Sequence, residues 1–187
     1  LITYEVITAF FLEATFLGVM LFGRGRVPDW MHFAATCAVA LGTMGSAFWI
    51  LSANSWMQTP GGFEILADGT YRATDWGEVI ITDSLPLRIA HMLLAAYLTT
   101  AFVVAGSGAW YLLKNHEPRL ARRMLSMGLG LATILLPIQL VVGHLSGVEV
   151  GENQPMKMAA IEARWETQKE ASLTLVGWPD QEAATTL

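Results

Sequence analysis

The chain has 187 residues, of which 53% are hydrophobic and only 14% charged, with a mean hydropathy of +0.45 and a formal net charge of −5. A soluble domain carries about 25% charged residues, so this composition belongs to a membrane protein, and the acidic balance offers no basic surface for nucleic acid. The single cysteine, Cys37, excludes an internal disulfide, makes no metal cluster alone, and is expected to pack inside a helix.

The apolar residues fall into four blocks, 1–23, 31–52, 86–113 and 124–146. Each is long enough to cross a hydrocarbon core of about 30 Å at about 1.5 Å per residue. They predict an all-α membrane protein, with four transmembrane helices in an antiparallel bundle over 1–146 and a hydrophilic outer segment over 147–187. The first block lacks a basic leader and a small-residue cleavage pattern, so it reads as a span and not as a signal peptide. It opens already apolar and without methionine, so the sequence is expected to be an internal fragment of a longer membrane protein, inactive alone.

Within the first block stand two carboxylates, Glu5 and Glu13. An ionisable group in hydrocarbon costs about 2.5–3.5 kcal/mol on insertion scales, and those retained usually mark ion paths or cofactor sites. On a regular helix, eight residues separate the pair by about 80° of rotation and ~12 Å of rise, so they predict stepping stones and not a paired dyad. Thr8 lies between them, and Ser46 is placed to face them from the next helix. The competing readings are snorkelling to the interface for Glu5 and protonated burial beside a polar partner for Glu13.

The first connection carries Arg24 and Arg26, and the second block repeats Ala38, Gly42 and Ser46 at four-residue spacing, a strip that permits close helix approach. The second connection, 53–85, is acidic and has turn signals at Pro60-Gly61-Gly62 and Asp68-Gly69. In the third block, His91 has the small neighbours Ala90, Ala95 and Ala96 and follows Arg88 by three residues. That pattern fits a neutral imidazole ligating a haem, with the arginine at a propionate, or equally a hydrogen-bonded core histidine. His32 and His144 lie at span ends and His116 in a loop, where interfacial roles are expected.

The third connection, 114–123, brings the basic residues of the two short loops to six of eleven, which places these loops in the cytoplasm and 53–85 and 147–187 outside. Pro137 is expected to kink the fourth helix. In the tail, Asn153-Gln154-Pro155 reads as a helix start, with a short helix over 156–170. Lys157 and Glu162, five apart and about 140° around that helix, read on spacing alone as part of an ordinary solvated face. Trp56, Trp76, Trp165 and Trp178 read as an aromatic belt.

Four strings go beyond generic membrane composition: AFFLEATFLG at 9–18, SAFWILSANSWMQTPGGFE at 46–64, SGAWYLLK at 107–114 and KMAAIEARWETQ at 157–168. In this order they resemble subunit I of the cytochrome bd quinol oxidases over essentially the whole chain. The most specific parts are Trp56-Met57-Gln58 with Pro60, and Ala159-Ala160-Ile161-Glu162 with Trp165-Glu166-Thr167. The resemblance implies a multi-pass protein of the bacterial or archaeal cytoplasmic membrane that oxidises quinol and reduces dioxygen to water with cytoplasmic protons.

It further implies that His91 ligates a low-spin haem b, with Arg88 beside it. Glu5 would lie at the high-spin haem b and haem d as a candidate iron ligand. Glu13 would serve the proton route with Ser46 along it, and Lys157 and Glu162 would belong to a quinol-binding outer loop. Implied partners are a second oxidase subunit, small accessory subunits and membrane lipid. The axial histidine of haem d is expected upstream, and the methionine partner of the low-spin haem and a glutamate ligand of the second high-spin haem downstream. The first turn, Gly23-Arg24-Gly25-Arg26, departs from the pattern, since many relatives carry an aspartate before the arginine. The competing function is a proton-coupled transporter or channel bundle built on Glu5 and Glu13. A haem b anchor of a dehydrogenase would usually bring a second mid-span histidine, which is absent here.

Overall fold

Among the described residues four helices are long and apolar enough to cross a bilayer, as the four apolar blocks require. The structure, a computed structural model, describes residues 1–167 and 177–186. Contacts divide the chain into two units, Leu1–Met92 and Leu93–Leu187, with the boundary inside a helix.

In the first unit, helix α1 covers Ile2–Phe22 and helix α2 covers Asp29–Gln58. Helix α1 is not uniform: Val6–Phe10 is a π-helical turn between two α-helical stretches. The connection is tight, with Gly25 at φ 75°, and His32 Nε2 lies 3.0 Å from the Met20 carbonyl, tying the start of α2 to the end of α1. The small-residue strip does what its spacing predicts. A Cβ at Gly42 would stand 2.6 Å from Glu13 Cγ and 3.3 Å from the Ala9 carbonyl oxygen, so only glycine admits this approach. Ala9 and Ala35 are buried in the same seam. Cys37 departs from expectation: it is exposed. Its side chain leaves the helix about 100° from that of Ala38 and so misses the seam.

Helix α2 runs six residues past the predicted block, ending at Gln58. The outer connection then forms a hairpin of β1 (Phe63–Ile65) and β2 (Tyr71–Ala73), antiparallel with Glu64 opposite Arg72. Short helix α3 (Trp76–Ile80) follows, capped by Asp75, whose carboxylate accepts from the Gly77 amide at 2.7 Å. The turn signals at Gly62 and Asp68-Gly69 mark real turns, with φ of 67° at Gly62 and 82° at Gly69. At the hairpin tip the Thr70 hydroxyl and amide donate to Asp68, holding that carboxyl below the ordinary aspartate range.

Trp56 is not a free belt residue. Its indole packs edge-on to Phe63 at 5.5 Å and its Nε1 donates to the Gly61 carbonyl at 2.9 Å, which folds the hairpin over the end of α2. Beneath it, Ser52 donates to the Ile80 carbonyl and Thr59 shares a 2.6 Å hydrogen bond with Ser84. These buried hydroxyls and the buried Leu85 fix the start of helix α4 (Leu85–Leu113).

In the second unit, α4 continues to Leu113 and helix α5 covers Pro118–Asn153. Pro118 opens α5 at a position where the missing amide costs nothing. Pro137 lies inside the helix without ending it. The two helices close on a second seam of small residues, with Ala101, Ala105, Ala121 and Ala132 buried. A Cβ on Gly128 would stand 2.8 Å from the Ala105 amide nitrogen, and one on Gly108 would stand 2.8 Å from the Ala121 carbonyl oxygen. Away from the seams the helices expose large apolar side chains, among them Phe102, Val103, Ile134, Leu140 and Val141. That is the surface of a chain whose solvent is lipid or neighbouring helices.

Pro155 cannot continue α5, so the chain restarts as α6 (Pro155–Ile161) at the predicted Asn153-Gln154-Pro155 signal, of which Asn153 still belongs to α5. The expected helix over 156–170 is therefore too long: α6 stops at Ile161, and 168–170 lie outside the described residues. It stops because Ala163 takes a left-handed conformation, φ 51°. The chain returns as a two-residue antiparallel pair, β3 (Pro179–Asp180) with β4 (Thr185–Thr186).

Candidate functional site

Glu5 is 9% exposed, and Ser46 Oγ donates to its Oε1 at 2.7 Å. A buried carboxyl in an apolar helix needs such a partner, and a hydroxyl suits either protonation state, since it donates to a carboxylate and accepts from an acid. Thr8, one turn further along α1, accepts from Trp49 Nε1 at 2.8 Å and donates to the Tyr4 carbonyl at 2.7 Å. Tyr4 and Trp49 stack with centroids 5.5 Å apart. Tyr4, Thr8 and Trp49 thus form a linked group next in sequence to the Glu5–Ser46 pair.

Glu13 is half-buried, with its stem against Gly42, one turn of α2 from Ser46. The 80° offset expected from a regular helix does not apply. A π-helical turn takes in one residue beyond the α pattern, so Glu5 and Glu13 are in phase as if seven apart, about 20° from alignment. Both carboxyls therefore stand on the face of α1 that meets α2. The sequence carries no mark of this, because a π turn is selected by packing against a partner.

His91 is half-buried on the first turns of α4. One turn earlier, the Arg88 guanidinium donates through Nη1 to Asn54 Oδ1 of α2. Sequence spacing did not flag Asn54, which lies two turns beyond Ser46 on α2. His32 bonds across the α1–α2 turn and His116 packs edge-on to Tyr111 at 5.1 Å, so both hold structural positions.

Among the described residues no three His, Cys, Asp or Glu side chains gather into a metal cluster. The donors instead suit single-residue ligation of a large cofactor: one imidazole at His91 and one carboxyl at Glu5, each set in an apolar helix. His91, with Ala90 beside it and a cation one turn away, fits a haem bearing anionic propionates.

In the second unit, Lys157 is exposed on α6 and Glu162 lies at its end. Glu162 Oε2 meets Arg164 Nε at 3.4 Å, with both side chains largely buried. The left-handed turn at Ala163 makes this pair, by bringing residue 164 back over the helix end. Arg164 was not singled out by sequence; a Glu-x-Arg spacing alone rarely pairs, and only the turn brings these side chains together.

A profile of the cytochrome bd terminal oxidase subunit I family matches residues 1–187. The chain is 37% identical over 181 residues to cytochrome bd-II ubiquinol oxidase subunit 1 of Escherichia coli (strain K12), covering 95% of this chain and 35% of that protein. It is 40% identical over 164 residues to cytochrome bd ubiquinol oxidase subunit 1 of Bacillus subtilis (strain 168), covering 87% and 34%. The solved structure of bd oxidase from Geobacillus thermodenitrificans matches with a TM-score of 0.81 at 35% identity, covering 95% of this chain and 41% of that one. The chain thus spans about a third of the length of these curated relatives. Four apolar helices, two carboxyls on the α1–α2 seam and a match along the whole sequence lead to one assignment: this multi-pass membrane chain belongs to the cytochrome bd terminal oxidase subunit I family.

Proposed function

We propose that this chain supplies part of the catalytic subunit of a quinol:oxygen oxidoreductase. Two quinols release four electrons and four protons outside, and dioxygen takes four electrons and four cytoplasmic protons to form two waters. The observation that carries the proposal is the buried Glu5 carboxyl, hydrogen-bonded by Ser46 and aligned with Glu13 on one seam of an apolar helix pair. Such groups are retained in hydrocarbon for a purpose.

A low-spin haem b and a high-spin haem b with haem d, when bound, would supply the electron transfer and oxygen reduction. His91 would hold the low-spin haem through one imidazole nitrogen. Arg88, fixed by Asn54, keeps further N–H groups for a propionate, since a guanidinium carries five. Glu5 would stand at the high-spin haems. Glu13 hands protons along the seam, and the Ser46 hydroxyl accepts and donates beside Glu5. Lys157 and Glu162 would bind the quinol head group in the outer loop, with Glu162 placed to receive a hydroxyl proton. Positive-inside placement puts residues 53–85 and 147–187 outside, where protons released from quinol leave the membrane. A second subunit and accessory subunits would complete the enzyme.

The test is His91→Ala in the assembled oxidase. The low-spin haem absorption band should disappear while the other haem bands stay. Retention of every band removes His91 from the ligand set.

A further inference from the structure

Arg164 carries a buried polar atom that the fold leaves unused. Its side chain is 20% exposed, its Nε is taken by Glu162 at 3.4 Å, and its Nη2 is buried without a hydrogen bond. A buried guanidinium N–H with no acceptor is costly, so its persistence needs a cause. Arg164 also lines a cavity of about 350 Å³, together with Pro155, Met156 and Ala159 of α6 and with Trp165 and Glu166. That is within the range of small-ligand pockets, roughly 300–1,000 Å³.

The walls are held by bonds that do not use the cavity. The Arg164 amide donates to the Ala159 carbonyl at 2.8 Å, which closes the turn through Ala163. Thr186 Oγ1 donates to the Ala163 carbonyl, and Trp165 Nε1 donates to Thr186 Oγ1 at 3.2 Å. The β3–β4 pair thus clamps the segment from outside, and the guanidinium is oriented before any ligand arrives. Glu166 on the same wall disfavours an anionic guest. The chemistry left is a flat neutral molecule with an acceptor oxygen, which Nη2 bonds while Trp165 and Met156 cover its faces.

We propose that Arg164 is a substrate-binding residue of the outer loop: its Nη2 donates to one oxygen of the quinol head group while its Nε fixes Glu162. This rests on reading the loop as the quinol site, so the test must separate the two. In the assembled oxidase, KM for a short-tailed quinol and Kd for the corresponding quinone are measured for R164Q, R164K, E162Q and the double variant.

R164Q should raise KM and Kd about tenfold while kcat stays within about twofold and the haem spectrum is unchanged, as expected for a lost charge-assisted hydrogen bond. R164K, which keeps the charge and the stem, should recover most of the affinity and guards against a loop that merely fails to fold. In the E162Q background, R164Q should still weaken quinone binding several-fold. If that further loss vanishes, Arg164 serves only to hold Glu162 and the proposal fails. If E162Q weakens binding and R164Q does not, the proposal fails while the outer-loop site stands. If neither changes Kd, the loop is not the quinol site.

Discussion

A hydroxyl facing a carboxyl in hydrocarbon is useful because it bonds the group in both of its protonation states. Ser46 has that relation to Glu5, and Glu13 lies one turn of α2 away against Gly42, so the proposed proton route would have two stations on one seam. Glu13→Gln keeps the shape and removes the exchangeable proton. Oxygen consumption should fall roughly tenfold or more while quinone Kd is unchanged; normal turnover in this variant takes Glu13 off the proton route. That Ser46 faces the two carboxylates from the next helix was legible in the sequence, but not that it bonds Glu5, because the phase of α1 is set by its π turn. Asn54 and Arg164 were not, because the bonds they make to Arg88 and Glu162 depend on where helices start and where a single alanine turns left-handed.

At the level of elements, close helix packing is set by small residues, since lipid removes the usual hydrophobic drive between helices. Two glycines of α5 give opposite expectations. Gly128 has no room for a side chain against Ala101 and Ala105, whereas Gly130 has open space around it. Gly128→Leu should destabilise the folded chain by about 1–3 kcal/mol or block assembly, and Gly130→Leu should be near neutral. Heating the detergent-solubilised oxidase and following the folded fraction compares the two directly, and equal losses would refute the seam. The long helices and the first seam were readable from hydropathy and four-residue spacing. The hairpin was readable only as turns. Its strands are three residues each, and its place depends on Trp56, Phe63 and Tyr71 gathering across the chain.

For the molecule as a whole, the charge distribution predicts an orientation that labelling can check. In a Cys37→Ser background, a cysteine placed at Asp68 should react with a membrane-impermeant maleimide in intact cells, and one placed at His116 should not. Both positions are exposed in the fold, so reactivity reports sidedness. Reversed labelling would invert the proton route proposed for Glu13. Membership of the family was readable from four strings along the chain, whereas the division of tasks among Glu5, Glu13 and His91 came from the resemblance, because spacing places side chains on faces without assigning them chemistry.

The π turn at Val6–Phe10 has an evolutionary corollary. It stores one spare residue in α1, so a deletion anywhere within it can be absorbed by reverting to α geometry. Glu5 would still face Ser46 and Glu13 would still face Gly42, in a helix shorter by one step. An added residue has no such outlet and would swing Glu5 toward lipid by about 100°. Length variation among relatives should therefore be one-sided at this point, with gaps tolerated and insertions purged.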